Sequence, residues 1–221
     1  CNRNIGVGAD GLILLENHQK LDFKMIYFNS DGKETSMCGN GGRCIVSFAN
    51  KLSIIKDKAK FMAIDGTHEG FVDHGIVSLQ MNNVKLIEQI QNGYVLDTGS
   101  PHYVEFHDSI NELDVIIEGR QIRNEKKISS NGINVNFVQV INNSCIKVRT
   151  YERGVENETL SCGTGVVAAV LSASKRGSVE GNKIKIITLG GDLYVSFNFN
   201  NSTFENIWLE GPAVEVFKGK I

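Results

Sequence analysis

Proline is nearly absent. Pro101 and Pro212 are the only two in 221 residues, against 23 glycines, so special backbone conformations fall to glycine. Cysteine is sparse as well. Cys1, Cys38, Cys44, Cys145 and Cys162 form an irregular, odd set of five, which excludes a secreted disulfide framework. There is no Cys-x-x-Cys and no His–Cys cluster of zinc-finger spacing, so no metal site is expected. Apolar runs are short; the longest, Val166–Leu171, is far below the ~18–20 residues of a membrane span. Charge of one sign does not accumulate either. The 23 basic and 25 acidic residues leave a net charge of −2 with no long basic run, so neither nucleic acid nor an anionic membrane is an expected partner. No signal peptide is visible, and a reducing cytoplasm is the expected compartment. With 41% apolar and 22% charged residues the chain is not disordered, and its length allows one or two domains.

What is present is mostly strand. Leu12–Glu16, Leu21–Asn29, Gly75–Met81, Ile133–Val140 and Cys145–Glu152 carry short apolar or alternating patterns. From Lys183 onward, KIKIITL, a Gly190-Gly191-Asp192 turn, LYVSFNF and IWLEGPAVEVFKG read as strands and turns throughout. Two segments differ. RCIVSFANKL, after Gly39-Asn40-Gly41-Gly42, has helical spacing that puts Ile45, Phe48, Ala49 and Leu52 on one face. VVAAVLSASKRG, after Gly163-Thr164-Gly165, is also helical and ends on Lys175, Arg176 and Gly177, a C-terminal stop signal.

These two segments belong to an internal repeat. Glu34-Thr35-x-x-Cys38-Gly39-Asn40-Gly41 matches Glu158-Thr159-x-x-Cys162-Gly163-Thr164-Gly165, with four residues from Glu to Cys in both. Each copy follows a strand ending in an aromatic, Phe28 or Tyr151, and each precedes a helix. Two related halves, each strand-turn-Cys-helix, are expected to face each other across a cleft.

A helix N-terminus offers unpaired N–H donors and partial positive charge, which bind a carboxylate and lower the pKa of a cysteine placed there. Two such termini converging on one carboxylate would leave a cysteine on each side of the adjacent carbon. One thiolate would remove the α-proton from one face while the opposite thiol protonates the other, inverting the centre. The N–H groups would stabilise the growing enediolate charge. The scheme needs no metal or cofactor. Competing readings are weaker. A lone cysteine before a helix is usually packing, but here the context is duplicated. Cys44 is expected to pack in the first helix, and Cys1 and Cys145 to be structural. Gly6-x-Gly8-x-x-Gly11 matches a dinucleotide fingerprint, yet only five residues precede it and no helix pattern follows, so a tight loop feeding a strand is expected. A redox switch on a binding protein is the alternative from another class, since close thiols can oxidise.

The segments RNIGVGADGL (3–12), FNSDGKETSMCGNGGRC (28–44), DTGSPH (97–102), NVNFV (134–138) and YERGVENETLSCGTG (151–165) resemble diaminopimelate epimerase. The MCGNG form separates the chain from the similar proline racemases, which tend to carry histidine where Asn40 stands; a related cofactor-independent racemase of that kind is the alternative. The resemblance implies an α/β (α+β) fold of two pseudo-symmetric domains. Each would be a curled, mostly antiparallel sheet around a central helix, with the active site in the interdomain cleft. It places them at 1–82 plus 210–221 and at 83–209. It implies cofactor-independent interconversion of LL- and meso-diaminopimelate on the path to lysine and peptidoglycan, and leaves a homodimer open. Cys38 and Cys162 match the proton donor and acceptor in the LL-to-meso direction. Gly39, Asn40, Gly163 and Thr164 match the anion cradle, Asn29, Asn134, Glu152 and Arg153 the substrate-binding positions, and His102 a supporting histidine. Relatives often carry asparagine where Ser100 stands. The family's Gly-x-Gly-Asn-Asp-Phe segment, with another substrate-binding asparagine, does not occur in this sequence. A front segment outside it is therefore expected, with weak or no activity in its absence.

Overall fold

The computed structural model describes residues 1–34 and 38–220. Among these, fourteen strands and three helices form a mixed α/β structure in which most strand pairs are antiparallel. Two compact units divide the chain: Cys1–Gln80 with Glu210–Ile221, and Met81–Leu209.

The first unit opens with a loop closed by Gly6 N–H on Asn2 O (2.9 Å) and Ala9 N–H on Cys1 O (3.0 Å). At Gly11 the loop becomes a strand rather than a helix, so the glycine fingerprint lacks the helix a dinucleotide would need. Strand β1 (Gly11–Glu16) pairs antiparallel with β2 (Phe23–Asn29), and helix α1 (Gly39–Lys51) carries the chain over to β3 (Lys58–Ala63), parallel to β2. β4 (Gly66–Asp73) and β5 (Ile76–Met81) continue as an antiparallel meander. Alternation buries Phe23 and Met25 of β2, Phe61 of β3 and Leu79 of β5, with the Phe23 and Phe61 rings stacked at 4.9 Å.

The face that α1 buries differs from the expected one. Gly42, Ile45, Val46 and Ala49 are inside, whereas Phe48 and Leu52 are about half exposed. Small residues win because the helix lies close on the sheet; a Cβ on Gly70 of β4 would stand 2.8 Å from Val46 Cγ2. Cys44 accordingly sits on the exposed side of α1, not in its packing.

The second unit contains β6 (Glu88–Ile90), β7 (Gly93–Asp97), β8 (Pro101–Phe106), α2 (Val115–Arg123), β9 (Asn134–Asn142), β10 (Cys145–Glu152) and β11 (Asn157–Thr159). Helix α3 (Gly163–Arg176), β12 (Lys183–Thr188), β13 (Gly191–Asn200) and β14 (Thr203–Pro212, in this unit as far as Leu209) follow. The strand order is β14-β13-β12-β10-β9-β8-β7-β6, with β11 paired to β10 off the path. Every residue of α3 from Gly163 to Ala173 is buried, as befits a helix apolar on all sides. Residues 213–220 have no regular structure, so the strand expected through IWLEGPAVEVFKG stops at Pro212.

The repeat read in the sequence recurs in the topology of each unit. β1-β2-α1-β3-β4 and β9-β10-α3-β12-β13 share one scheme: an antiparallel pair, a parallel crossover through a helix, and an antiparallel pair. Phe28 bridges Glu34 in one copy and Tyr151 pairs with Glu158 in the other. Gly32 and Gly154, at φ +81 and +92, make the turn in each.

Candidate functional site

Both repeated cysteines are helix N-caps. Cys38 precedes α1 with φ −98 and ψ 127, and Cys162 precedes α3 with φ −108 and ψ 114. Neither side chain caps its own helix, and neither first turn carries an acidic residue. A thiol thus stands where Ser, Asp or Asn would ordinarily satisfy the first N–H groups, and nothing acidic cancels the positive end of the dipole. Cys38 is partly exposed, and Cys162 is buried at 7% exposure.

The helices start directly behind the cysteines, three to four residues earlier than the apolar pattern suggested. Gly39, Gly41, Gly163 and Gly165 are therefore first-turn helical residues with ordinary φ, not sharp turns. Their use is close approach. A Cβ on Gly41 would lie 3.2 Å from Ile13 Cδ1, and one on Gly165 would overlap Asn136 Oδ1.

In the first unit, Arg43 lies beneath the turn that follows Cys38. It is 6% exposed, and its guanidinium donates from Nη1 to Gly39 O (3.3 Å) and from Nη2 to Asn40 Oδ1 (3.0 Å). Burial pulls its pKa below the ordinary arginine value, against the opposing pull of the Cys44 and Cys38 thiols. Asn29 ends β2 with an exposed side chain, and its backbone N–H donates to Lys33 O (3.0 Å). Thr35, Ser36 and Met37 of the first motif lie outside the described residues.

In the second unit more of the expected residues come together. His102 of β8 is fully buried, and its Nε2 lies 2.9 Å from Thr164 Oγ1, which is 3.5 Å from Cys162 Sγ. Burial, and secondarily the charge of Arg153, push the His102 pKa down to about 3, so the ring is neutral. Thr98 Oγ1 donates to Thr164 O (2.9 Å), tying the first turn of α3 to the loop before β8. Asn134 uses both amide hydrogens inside the protein, on Ser100 Oγ (2.9 Å) and Pro101 O (3.1 Å), while its oxygen accepts from the Arg153 backbone (2.8 Å). It holds the Arg153 turn against the Ser100 loop. The Arg153 guanidinium donates to Gly132 O (3.2 Å), and Glu152 accepts from Thr159 Oγ1 (3.0 Å). Sequence reading passed over Arg43, Thr98, Asn136 and Thr150. Only the pairing of a buried strand with polar Asn136 and Thr150 could have flagged the last two.

No group of three or more His, Cys, Asp or Glu among the described residues is arranged to hold a metal. No helix among them is long and apolar enough to cross a membrane.

Comparisons with known proteins point to one family. The diaminopimelate epimerase family pattern matches residues 1–70 and 94–216. The chain is 51% identical to the diaminopimelate epimerase of Flavobacterium psychrophilum, covering all of this chain and 87% of that one. It is 40% identical to that of Chlorobaculum tepidum, covering all of this chain and 88% of the other. Among solved structures, a hydroxyproline epimerase from Agrobacterium vitis superposes with a TM-score of 0.69 at 14% identity, over 91% of this chain and 72% of that one, a likeness of fold alone.

Proposed function

The chain belongs to the diaminopimelate epimerase family, and from that premise we propose that Cys38 and Cys162 are the acid–base pair of this isomerase. The substrate is 2,6-diaminopimelate, interconverted between its LL and meso forms on the route to lysine. The reading rests above all on one observation: each unit caps a buried, acid-free helix start with a cysteine, inside the same strand–helix–strand crossover.

The α-proton leaves to one thiolate as the C–H electron pair moves into the carboxylate, giving an enediolate. The opposite thiol then returns a proton to the other face, so the centre inverts and the cysteines exchange protonation states. Backbone N–H groups of Gly39, Asn40, Gly163 and Thr164 hold the reacting carboxylate and stabilise the enediolate charge. Arg153 takes a carboxylate with its planar fork, and Glu152 and Asn29 serve the amino groups. Asn134, whose amide hydrogens are already used within the fold, acts by fixing the Arg153 turn. The pseudo-symmetric arrangement, with the substrate between two half-sites, is part of this reading.

In deuterated water the inverted centre should acquire deuterium. Cys38→Ala and Cys162→Ala should each abolish inversion; full epimerisation by both would overturn the assignment. A proline racemase-like specificity is tested by assaying proline and 4-hydroxyproline beside diaminopimelate.

A further inference from the structure

The proposed base Cys162 has neighbours whose hydrogen-bond directions can be worked out from one fixed point. Tyr103 O is a backbone carbonyl and can only accept. Asn136, fully buried on β9, lies 3.1 Å from it through Nδ2, so that atom is the amide nitrogen. Its oxygen therefore faces Thr150 Oγ1 at 3.0 Å and accepts the threonine proton. The second amide hydrogen points at His102 Nδ1, 3.0 Å away. A ring nitrogen that accepts cannot also carry a proton, so the imidazole is protonated at Nε2. Nε2–H then donates to Thr164 Oγ1 at 2.9 Å. The threonine hydroxyl, already accepting there, has its own proton to give, and Cys162 Sγ stands at 3.5 Å.

We propose that Asn136 is a positioning residue: it holds His102 as the Nε2–H tautomer, and His102 in turn aims the Thr164 hydroxyl proton at Cys162 sulfur. His102 is then neither base nor acid. It moves no proton; it sets which way a hydroxyl points. The hydroxyl favours the thiolate over the thiol, because a charge-assisted hydrogen bond is stronger than a neutral one. Every buried polar atom along this chain from Tyr103 to Thr164 has a partner, which is the condition under which such a network is rigid. Gly165 packs its bare Cα against Asn136 Oδ1, so the network is pressed against the first turn of α3.

The inference rests on Cys162 as an acid–base group, but its test needs no turnover. In 15N-histidine-labelled protein, with His102 assigned by its loss in His102→Gln, the ring should show a pyridine-like Nδ1 and a pyrrole-like Nε2, unchanged from about pH 5 to about pH 8. A protonated Nδ1, or titration within that range, overturns the proposal. Asn136→Leu should disturb that tautomer pattern in a protein that still folds, and an unaltered pattern overturns the role of Asn136. Alkylation of Cys162, resolved by peptide mass spectrometry under reducing conditions, gives the second arm. Thr164→Val should move its half-maximal pH upward by about one pH unit, while Thr164→Ser keeps the parent profile. Identical profiles for the two variants overturn the hydroxyl's role. Should Cys162→Ala keep epimerising while the tautomer stands, the function assignment falls and the hydrogen-bond chain remains.

Discussion

Arg149 and Glu158 form a two-pronged ion pair. Nε meets Oε1 at 2.7 Å and Nη2 meets Oε2 at 2.8 Å, with both side chains less than one-fifth exposed. Glu158 is the glutamate of the second repeat. The pair pins β11 to β10 four residues ahead of Cys162, and Arg149 Nη1 also ties it to the carbonyls of Ile110 (2.7 Å) and Leu113 (2.9 Å). The hydrogen bonds and charge of Glu158 raise the pKa of Arg149, as a well-made pair should.

Glu158→Gln keeps the shape but leaves the guanidinium without its counter-charge. Equilibrium unfolding in urea should show a loss of about 2 kcal/mol. A loss below a few tenths would mean that solvent screens the pair as it does an exposed one.

Gly165→Ala and Gly41→Ala form a contrasting pair. The first puts a methyl into Asn136 Oδ1 and should cost about 2–3 kcal/mol and at least tenfold in kcat. The second meets the flexible ends of Ile13 at 3.2 Å and Met25 at 3.4 Å, with Cys38 Cβ at an ordinary 3.5 Å, and should cost less than about 1 kcal/mol. Unfolding and steady-state kinetics on both variants give the ranking.

Stability should fall with acidification in a defined window. An unfolded imidazole takes a proton near 6.5, but buried His102 takes one only at about 3, so between these values the unfolded state binds more protons. The contribution of the ring is complete above the unfolded value. It is lost as pH falls through the window, by about 1.4 kcal/mol per pH unit once well below the upper limit. Asp65 and Glu156, both held below their usual values, are lost in the same direction at lower pH. For each, burial acts upward, opposed for Asp65 by the His68 hydrogen bond and for Glu156 by the Gly154 N–H and Arg123. Urea titrations at stepped pH should show the slope, and His102→Gln should flatten it above about pH 5.

Arg43→Met removes the buried fork that joins Gly39 O to Asn40 Oδ1. Catalysis should drop about tenfold or more, while the diaminopimelate KM changes less, because the lost group orients the cradle rather than meeting the substrate. Arg43→Lys should recover only part of the rate, since an ammonium cannot reproduce the fork.

The repeat, the two cysteines and the strand-rich character were legible because each leaves a local mark: matched spacing, alternation, glycine beside cysteine. Packing left no such mark. The buried face of α1 differs from the expected one because Phe48 and Leu52 look like core, while the close approach of Val46 to Gly70 depends on a strand residue 70 − 46 = 24 positions further on. Helix α2 was missed despite its Asp114 cap, which accepts from Ile117 N–H (3.0 Å), because only Val115 and Gly119 are buried and the apolar stripe is thin. The Asn136 network was invisible because its members come from separate elements, and nothing in NVNFV alone distinguishes a buried amide from an exposed one.

The bridge equivalence has a consequence for length. Glu34 stands six positions after Phe28, but Glu158 stands seven after Tyr151, whereas Cys stands four after Glu in both copies. The turn ahead of the glutamate is thus one residue longer in the second copy than in the first, whereas the stretch behind it has the same length in both. Insertions and deletions in these loops divide at the glutamate. Upstream they alter the length of a turn; downstream they change the one spacing, from glutamate to N-cap cysteine, that both copies share.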